Sequence, residues 1–273
     1  MARILKKQVL APGTKLFMLD VPHIAKKAQP GQFVILRSCE EGERIPLTIA
    51  DYNQDVGTIT VIFQEVGRST EKLGSLEEGD DVLDVVGPLG RPSEIENFGT
   101  VVCIGGGVGT AVVYPIAKAL KKAGNRVVSI IGARNKSLLI LEEEMRRLSD
   151  RLLVTTDDGS YGLHGFVTDG LRKLMTDGMN IDRIWAIGPV VMMSAVCSIT
   201  KGGGIKTVVS LNPIMVDGTG MCGACRVTIG GQTRFVCVDG PEFDGHQVDF
   251  DELLRRQRMY LKEERLAKQQ TTK

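Results

Sequence analysis

The chain has 273 residues, enough for two or three domains with cores of their own. Its 42% hydrophobic and 25% charged residues and formal net charge of +1 are those of an ordinary globular protein, with no general attraction to nucleic acid or a membrane surface. The opening "MARILKKQVLAPGTKLF" lacks the apolar core of a secretory signal, and no apolar run reaches the ~18 residues of a bilayer span, so a cytoplasmic location without membrane insertion is expected.

Residues 1–98 alternate short β-rich runs ("QFVILRS", "GTITVIFQEV", "DDVLDVVGPLG") with turn residues, which predicts a small antiparallel β-barrel. At residue 99 the texture changes. "TVVCIGGGVGTAVVYPIAKALKKAG" reads as a buried strand, a glycine turn and an amphipathic helix; the strand "RVVSIIGAR" and the helix "SLLILEEEMRRLSD" follow. The alternation continues through "RLLVTT", "GFVTDGLRKLM", "RIWAIG" and "VVMMSAVCSIT", so residues 99–211 are expected to form an α/β domain with a parallel sheet. Residues 212–249 are glycine-rich and carry a cysteine cluster, and residues 250–273 place Phe250, Leu253, Leu254, Tyr260 and Leu261 along one face of a basic amphipathic helix and tail. Such a helix packs on its own domain or a partner more often than it binds calmodulin or a membrane.

Six cysteines in a chain of this length and type are not a disulfide framework, and Cys39, Cys103 and Cys197, scattered singly, read as reduced structural thiols. The other three are clustered. "VDGTGMCGACRV" has the plant-type spacing for a [2Fe–2S] cluster with Asp217 in the first position, Cys222 and Cys225 next, and Cys237 as the distant ligand after eleven intervening residues. Gly218, Gly220 and Gly223 are expected at positive φ, where they turn backbone N–H groups toward the cluster's sulfurs. A zinc site competes, built from the three cysteines with Asp217 or His246.

"CIGGGVGTA" follows a strand and opens a helix, the setting in which a backbone approaches a pyrophosphate. It is not a strict dinucleotide fingerprint. Thr110 stands where the third glycine would be, and no acid appears about twenty residues on to hold a ribose, so a tight turn without ligand is the bland alternative. Three segments join it: "ERIPLTIAD" with Arg44 and Thr48, "VGRSTEKL" with Ser69 and Thr70 at a helix start, and "AIGPVVMM" with the Gly188-Pro189 turn.

With these segments the sequence resembles the ferredoxin-NADP reductase family of flavoproteins over about residues 5–240. The resemblance implies a multi-domain chain: an antiparallel β-barrel FAD domain, then an α/β parallel-sheet domain for a nicotinamide nucleotide, then a small C-terminal [2Fe–2S] domain. Pro46, Leu47 and Thr48 would meet the isoalloxazine, and Arg44, Ile62, Phe63, Gln64, Ser69 and Thr70 the rest of FAD. Gly105, Gly106, Gly107, Val108, Gly109 and Thr110, with Gly188, Pro189 and Met193, would receive the nucleotide. Two positions depart from the family pattern: Arg44 lies four rather than three residues before Thr48, and Ile187 takes the place of a cysteine before Gly188-Pro189.

The domain order is similar to the electron-transfer subunit of bacterial dihydroorotate dehydrogenases. It is closer still to the small subunit of the bifurcating NADH-dependent reduced ferredoxin:NADP oxidoreductases, where one Asp and three Cys hold the cluster. That likeness implies NAD(H) as substrate and a larger iron–sulfur flavoprotein partner that uses ferredoxin and NADP(H). Arg134 and Lys136, read alone, could pair with a 2′-phosphate and would favour NADP(H) instead. No acid/base motif is present, as hydride transfer between cofactors requires none; His164, in "DDGSYGLHGF", reads as a loop residue. A reading of another class is a non-enzymatic redox or NADH sensor.

Overall fold

The structure, a computed structural model, describes residues 1–271, so the last two residues of the expected tail lie outside it. The first segment holds β1 (Ala2–Ala11), β2 (Thr14–Asp20), the short helix α1 (Pro22–Ala25), β3 (Phe33–Arg37), β4 (Ile45–Asn53), β5 (Thr58–Gln64), α2 (Arg68–Gly74), β6 (Asp81–Val82) and β7 (Asp84–Leu89). Its seven strands form one antiparallel sheet in the order β6-β1-β2-β5-β4-β3-β7. The two outermost strands are consecutive in the chain, with Leu83 alone between them. A sheet whose opposite margins belong to one continuous stretch has to curl around its own core, and the expected barrel is this curled half-barrel. Phe17 and Phe63 meet edge to face inside it, centroids 5.1 Å apart, among fully buried Leu36, Ile49, Ile59 and Leu73.

The second segment holds β8 (Thr100–Gly106), α3 (Gly109–Lys122), β9 (Arg126–Ala133), α4 (Glu142–Leu148), β10 (Arg151–Thr156), β11 (Leu163–His164), α5 (Val167–Thr176), β12 (Arg183–Ile187), α6 (Val190–Lys201) and β13 (Lys206–Ser210). The last comprises β14 (Arg226–Ile229), β15 (Gln232–Phe235), α7 (Val236–Asp239), β16 (Glu242–Asp244), α8 (Phe250–Gln257) and α9 (Leu261–Thr271). The second sheet runs β11-β10-β9-β8-β12-β13-β16. All its pairings are parallel except that of β16, which adds antiparallel to β13 through Val208↔Asp244 and Ser210↔Glu242. Helices cover both faces, so the central strands are apolar at nearly every position: Val101, Val102, Cys103 and Ile104 of β8 are all fully buried. Strand order reverses at β8, with β9 on one side and β12 on the other; the crevice outside the strand ends at such a point is where open α/β sheets bind ligands.

Two predicted elements differ. The helix expected over "SLLILEEEMRRLSD" starts only at Glu142, because Ile140 is drawn into a small core with Ala50 and Ile62 and Leu141 takes a left-handed φ of 54° before the chain enters α4. The single C-terminal helix is two, α8 and α9; Leu253 is fully buried, whereas Tyr260 and Leu261 are exposed beyond the break, so the apolar stripe does not run along one face.

The cysteine-bearing excursion leaves the parallel sheet after β13 and returns to it as β16. Its return is fastened at Glu242, whose carboxylate accepts from Ser93 Oγ of the inter-domain linker (2.5 Å) and from Trp185 Nε1 of β12 (3.2 Å). Burial, chiefly, pushes the Glu242 carboxyl up. Arg91 adds a second stitch, its N–H donating to the Gly240 carbonyl at 2.6 Å and its Nε to the Val238 carbonyl at 3.1 Å.

Candidate functional site

A cavity of about 940 Å³ lies between the curled sheet and the carboxyl ends of β8, β9 and β12. That is the upper end of the usual range for a small-molecule or cofactor site. From the half-barrel it is lined by Pro46, Leu47 and Thr48 of β4, Ile62, Phe63 and Gln64 of β5, and Thr70 of α2. From the α/β segment come Gly106, Gly107, Val108 and Gly109, Arg134, Gly188 and Pro189. The structure thus brings most of the sequence-predicted residues to one wall-to-wall space.

Five predicted residues do not line it. Arg44 is exposed just ahead of β4. Ser69 is turned aside, its hydroxyl donating to Glu43 Oε2 at 2.7 Å. Thr70 reaches the cavity but closes its own turn, accepting from the N–H groups of Val66 and Gly67 and donating to the Gly67 carbonyl. Gly105 and Thr110 are the packed joint beneath the glycine turn: a Cβ on Gly105 would come within 2.7 Å of the Thr110 Cα. Here lies the reason for the irregular fingerprint, since the glycine that permits close strand–helix packing sits on the strand and Thr110 needs no third glycine. Met193 is fully buried in the core, and Met192 takes the place expected for it, with its thioether lying against both Gly106 and Gly188.

Gly109 carries the second close approach, since a Cβ there would overlap the carbonyl oxygen of Ile187 at the end of β12. Gly107 is at φ 55°, with open space where a side chain would be. Around this turn the N–H groups of Thr110 and Ala111 close onto the Gly107 and Val108 carbonyls and that of Gly107 onto the Gly132 carbonyl, so the positive end of the fourteen-residue α3, with Val108 and Gly109 at the cavity, is what suits an anionic pyrophosphate.

The sequence reading missed several lining residues. Asp157 follows β10 as Arg134 follows β9, and because Thr156 pairs with Ala133 the two charged residues are next in register across parallel strands at the cavity rim. An acid directly after a parallel strand was the available signal. Lys136, in contrast, does not line the cavity; its ammonium lies 4.8 Å from the Tyr161 ring centroid. Asn212, Pro213 and Met215 close the cavity at its far end, two residues before Asp217. His164, expected in a loop, instead ends the short edge strand β11, where it is exposed and does not line the cavity.

The cysteine loop starts where this wall stops. Gly218, Gly220 and Gly223 have φ of 76°, 87° and 66°, the positive values expected for them. Gly218 packs on the half-barrel, where a Cβ would meet the side chains of Ile35 and Leu89. Asp217 accepts from the N–H of Thr219 through Oδ1 and of Cys222 through Oδ2, both at 2.9 Å; the Thr219 contact foremost holds its carboxyl below the usual carboxylate range, so it is an anion at neutral pH. Cys225 and Cys237 are buried with their sulfurs 3.3 Å apart, while Cys222 is exposed. Burial, then the hydrogen bond with Cys225, pushes the Cys237 thiol up to about 12, so binding a metal releases its proton.

Asp217 contacts the side chain of Cys222, and the sulfur of Cys225 meets that of Cys237, so the four donors stand as two pairs in chain order. Two pairs on a glycine-turned loop fit a two-iron cluster better than a single tetrahedral zinc. His246 is no candidate ligand. Its Nε2 is 2.9 Å from Thr200 Oγ1, against α6. Of the remaining thiols, Cys103 and Cys197 are core residues raised by burial, Cys197 to about 12, as structural cysteines should be. Cys39 is only half-buried, and the neighbouring Lys72 lowers its thiol, so it is not a packed core cysteine.

Comparison with known proteins agrees with this arrangement. Residues 212–249 match the iron-sulfur cluster binding domain of dihydroorotate dehydrogenase B. A homolog of the dihydroorotate dehydrogenase B (NAD(+)) electron transfer subunit from Thermotoga maritima is 52% identical over 264 residues, 97% of this chain and 93% of the relative. The electron transfer subunit itself from Geobacillus thermodenitrificans is 32% identical, covering 90% of this chain and 96% of that one. A chain from the solved structure of the NADH-dependent reduced ferredoxin-NADP oxidoreductase, reported for flavin-based electron bifurcation, superposes with a TM-score of 0.95 at 50% identity, covering 100% of this chain and 98% of that chain. This chain therefore belongs to the family of dihydroorotate dehydrogenase B electron transfer subunits and their homologs.

Proposed function

We propose that the chain is an electron-transfer flavoprotein subunit that moves hydride between NAD(H) and FAD and single electrons between FAD and a [2Fe–2S] cluster. It delivers them to a larger iron–sulfur flavoprotein subunit, as part of a bifurcating NADH-dependent ferredoxin:NADP oxidoreductase. One observation carries the reading: a single cavity is walled by the half-barrel, by the glycine turns of the parallel sheet and by Met215 at the entrance of the cysteine loop. Its near-complete superposition on a chain of the bifurcating enzyme supports the choice of complex.

When bound, FAD turns a two-electron hydride into single electrons, which the cluster carries onward. The chain's own residues position and enclose. Pro46, Leu47 and Thr48 form the wall for the flavin ring, and Ile62, Phe63, Gln64 and Thr70 flank the remainder. Gly106 and Gly188, bare of side chains, make room for the Met192 thioether, which with Pro189 walls the nicotinamide end of the cavity, while Phe33, Leu211 and Met215 keep water from the junction. Asp217, Cys222, Cys225 and Cys237 hold the irons. The likeness brings ferredoxin and NADP(H) in through the partner. None of the six cysteines is paired in a disulfide, which fits a reducing, cytoplasmic location; among the described residues no helix is long and apolar enough to cross a membrane.

The direct test is anaerobic purification with the partner subunit, an absorption spectrum and flavin, iron and sulfide analysis, followed by bleaching with NADH. A colourless preparation that binds neither FAD nor iron after reconstitution overturns the proposal. A dihydroorotate-oxidising complex is the second reading, favoured by the family match over residues 212–249. Dihydroorotate-driven NAD reduction by the purified complex would establish it.

Two substitutions probe details. Asp157 at the rim would accept from ribose hydroxyls and repel a 2′-phosphate, outweighing Arg134. Asp157→Asn should lower the KM for NADPH by about tenfold and change that for NADH much less; an unmoved ratio of the two constants removes Asp157 from this role. A carboxylate donates less to iron than a thiolate, so Asp217→Cys should shift the cluster's reduction midpoint downward. An equal or higher midpoint in a redox titration contradicts that.

A further inference from the structure

Beyond the four candidate ligands, a cation reaches the cysteine loop from outside residues 212–249. Arg256, on α8, donates from Nη2 to the carbonyl of Ala224 at 3.0 Å, and Ala224 lies between Cys222 and Cys225. Its Nε is buried and has no hydrogen-bond partner, so the guanidinium is partly stripped of water on that side.

The helix that brings it is fixed at several points. The Asp249 carboxylate caps it by accepting from the Glu252 N–H at 2.8 Å, and Glu252 Oε2 in turn accepts from the Thr228 N–H at 3.0 Å. Leu253 is fully buried, and Gln257 Nε2 donates to the Asn212 carbonyl at 2.8 Å. The position of Arg256 is therefore imposed by the fold. A surface arginine also touches the loop: Arg226 donates to the Gly223 carbonyl at 3.2 Å, but it is exposed and water screens its charge.

We propose that Arg256 is a positioning residue for electron transfer, which holds the Cys222–Cys225 turn and, as a fixed and partly desolvated cation, raises the reduction potential of the cluster. This rests on the cluster assignment above. Two ferric ions, two sulfides, three thiolates and one carboxylate sum to a net charge of −2, and one added electron makes it −3. A neighbouring cation stabilises the reduced form more than the oxidised one, whichever donor supplies the electron.

The test uses the full chain with its partner, anaerobically, titrated with dithionite and followed by absorbance and by the electron paramagnetic resonance signal of the reduced cluster. Arg256→Gln should lower the ratio of reduced to oxidised cluster at a fixed potential about tenfold, which for a one-electron couple is 59 mV. Arg256→Lys should return most of the shift, and Arg226→Gln should change it much less. A fully loaded Arg256→Gln protein with the wild-type midpoint overturns the proposal, as does an equal effect from Arg226→Gln. If Arg256→Gln does not retain iron and sulfide, Arg256→Lys decides: loading restored by the retained charge supports the proposal, and loading still lost overturns it. Failure of the underlying assignment is distinguishable, because the unmodified protein would then hold no two-iron cluster at all.

Discussion

Replacement of Cys237 by alanine will give a protein that takes up FAD and is still reduced by NADH, yet contains no two-iron cluster and passes electrons to its protein acceptor roughly a hundredfold more slowly or worse. Two features single out this cysteine. It is buried beside Cys225 at 3.3 Å, so its loss leaves one thiol without its pair, and the nearby side chains that could replace it are engaged elsewhere, Asp239 with the Phe235 N–H and Arg91, and His246 with Thr200. The flavin wall lies on β4 and β5 and is untouched by the change. Iron and sulfide analysis, flavin content and stopped-flow bleaching by NADH separate the two halves of the expectation. A variant that keeps two irons and two sulfides, or that loses NADH reduction together with the cluster, would show that the division of labour between the cavity and the loop is wrong.

The second large effect belongs to Gly109. Valine there places a Cβ into the Ile187 carbonyl oxygen and two further methyls into the β12–α3 joint, where backbone rather than a yielding side chain is the neighbour. A cost on the order of 3–5 kcal/mol is expected, with a correspondingly lower melting temperature and loss of saturable NADH reduction. Gly107→Ala makes the contrast. The space beside it is open and only its φ of 55° resists a side chain, so about 1 kcal/mol is expected and nucleotide binding should persist. Thermal melts and NADH titrations of both variants check the ranking; equal destabilisation would mean that the close approach at Gly109 is not what the turn depends on.

How far the sequence reached follows from which forces were local. Glycine spacing, period-two alternation and the change to strand–helix alternation at residue 99 report short-range geometry, and they led to the curled sheet, the parallel sheet and the positive-φ glycines of the cysteine loop. The misplaced residues all turn on tertiary detail. Met192 and Met193 are adjacent and equally apolar, and only the rotation of α6 against its sheet decides which one meets the glycine turns. The late start of α4 could not be read from helical propensity, because burial of Ile140 against the half-barrel overrides it. Asp157 has no fingerprint of its own; its value comes from standing next in register to Arg134, a relation the linear sequence does not contain. His246 was a plausible ligand by distance along the chain and is excluded solely by where the tight turn at Gly245–Gln247, just after β16, carries it, against α6.

The return of the cysteine segment to the parallel sheet through β16, pinned by Glu242 to both the linker and Trp185, has a bearing on traffic through the molecule. No tether allows the metal-bearing part to commute between donor and recipient, so the internal tunnelling gap stays constant from one turnover to the next. Control over the current is left to the two outer ends, where the pyridine nucleotide comes and goes and where the next redox protein settles.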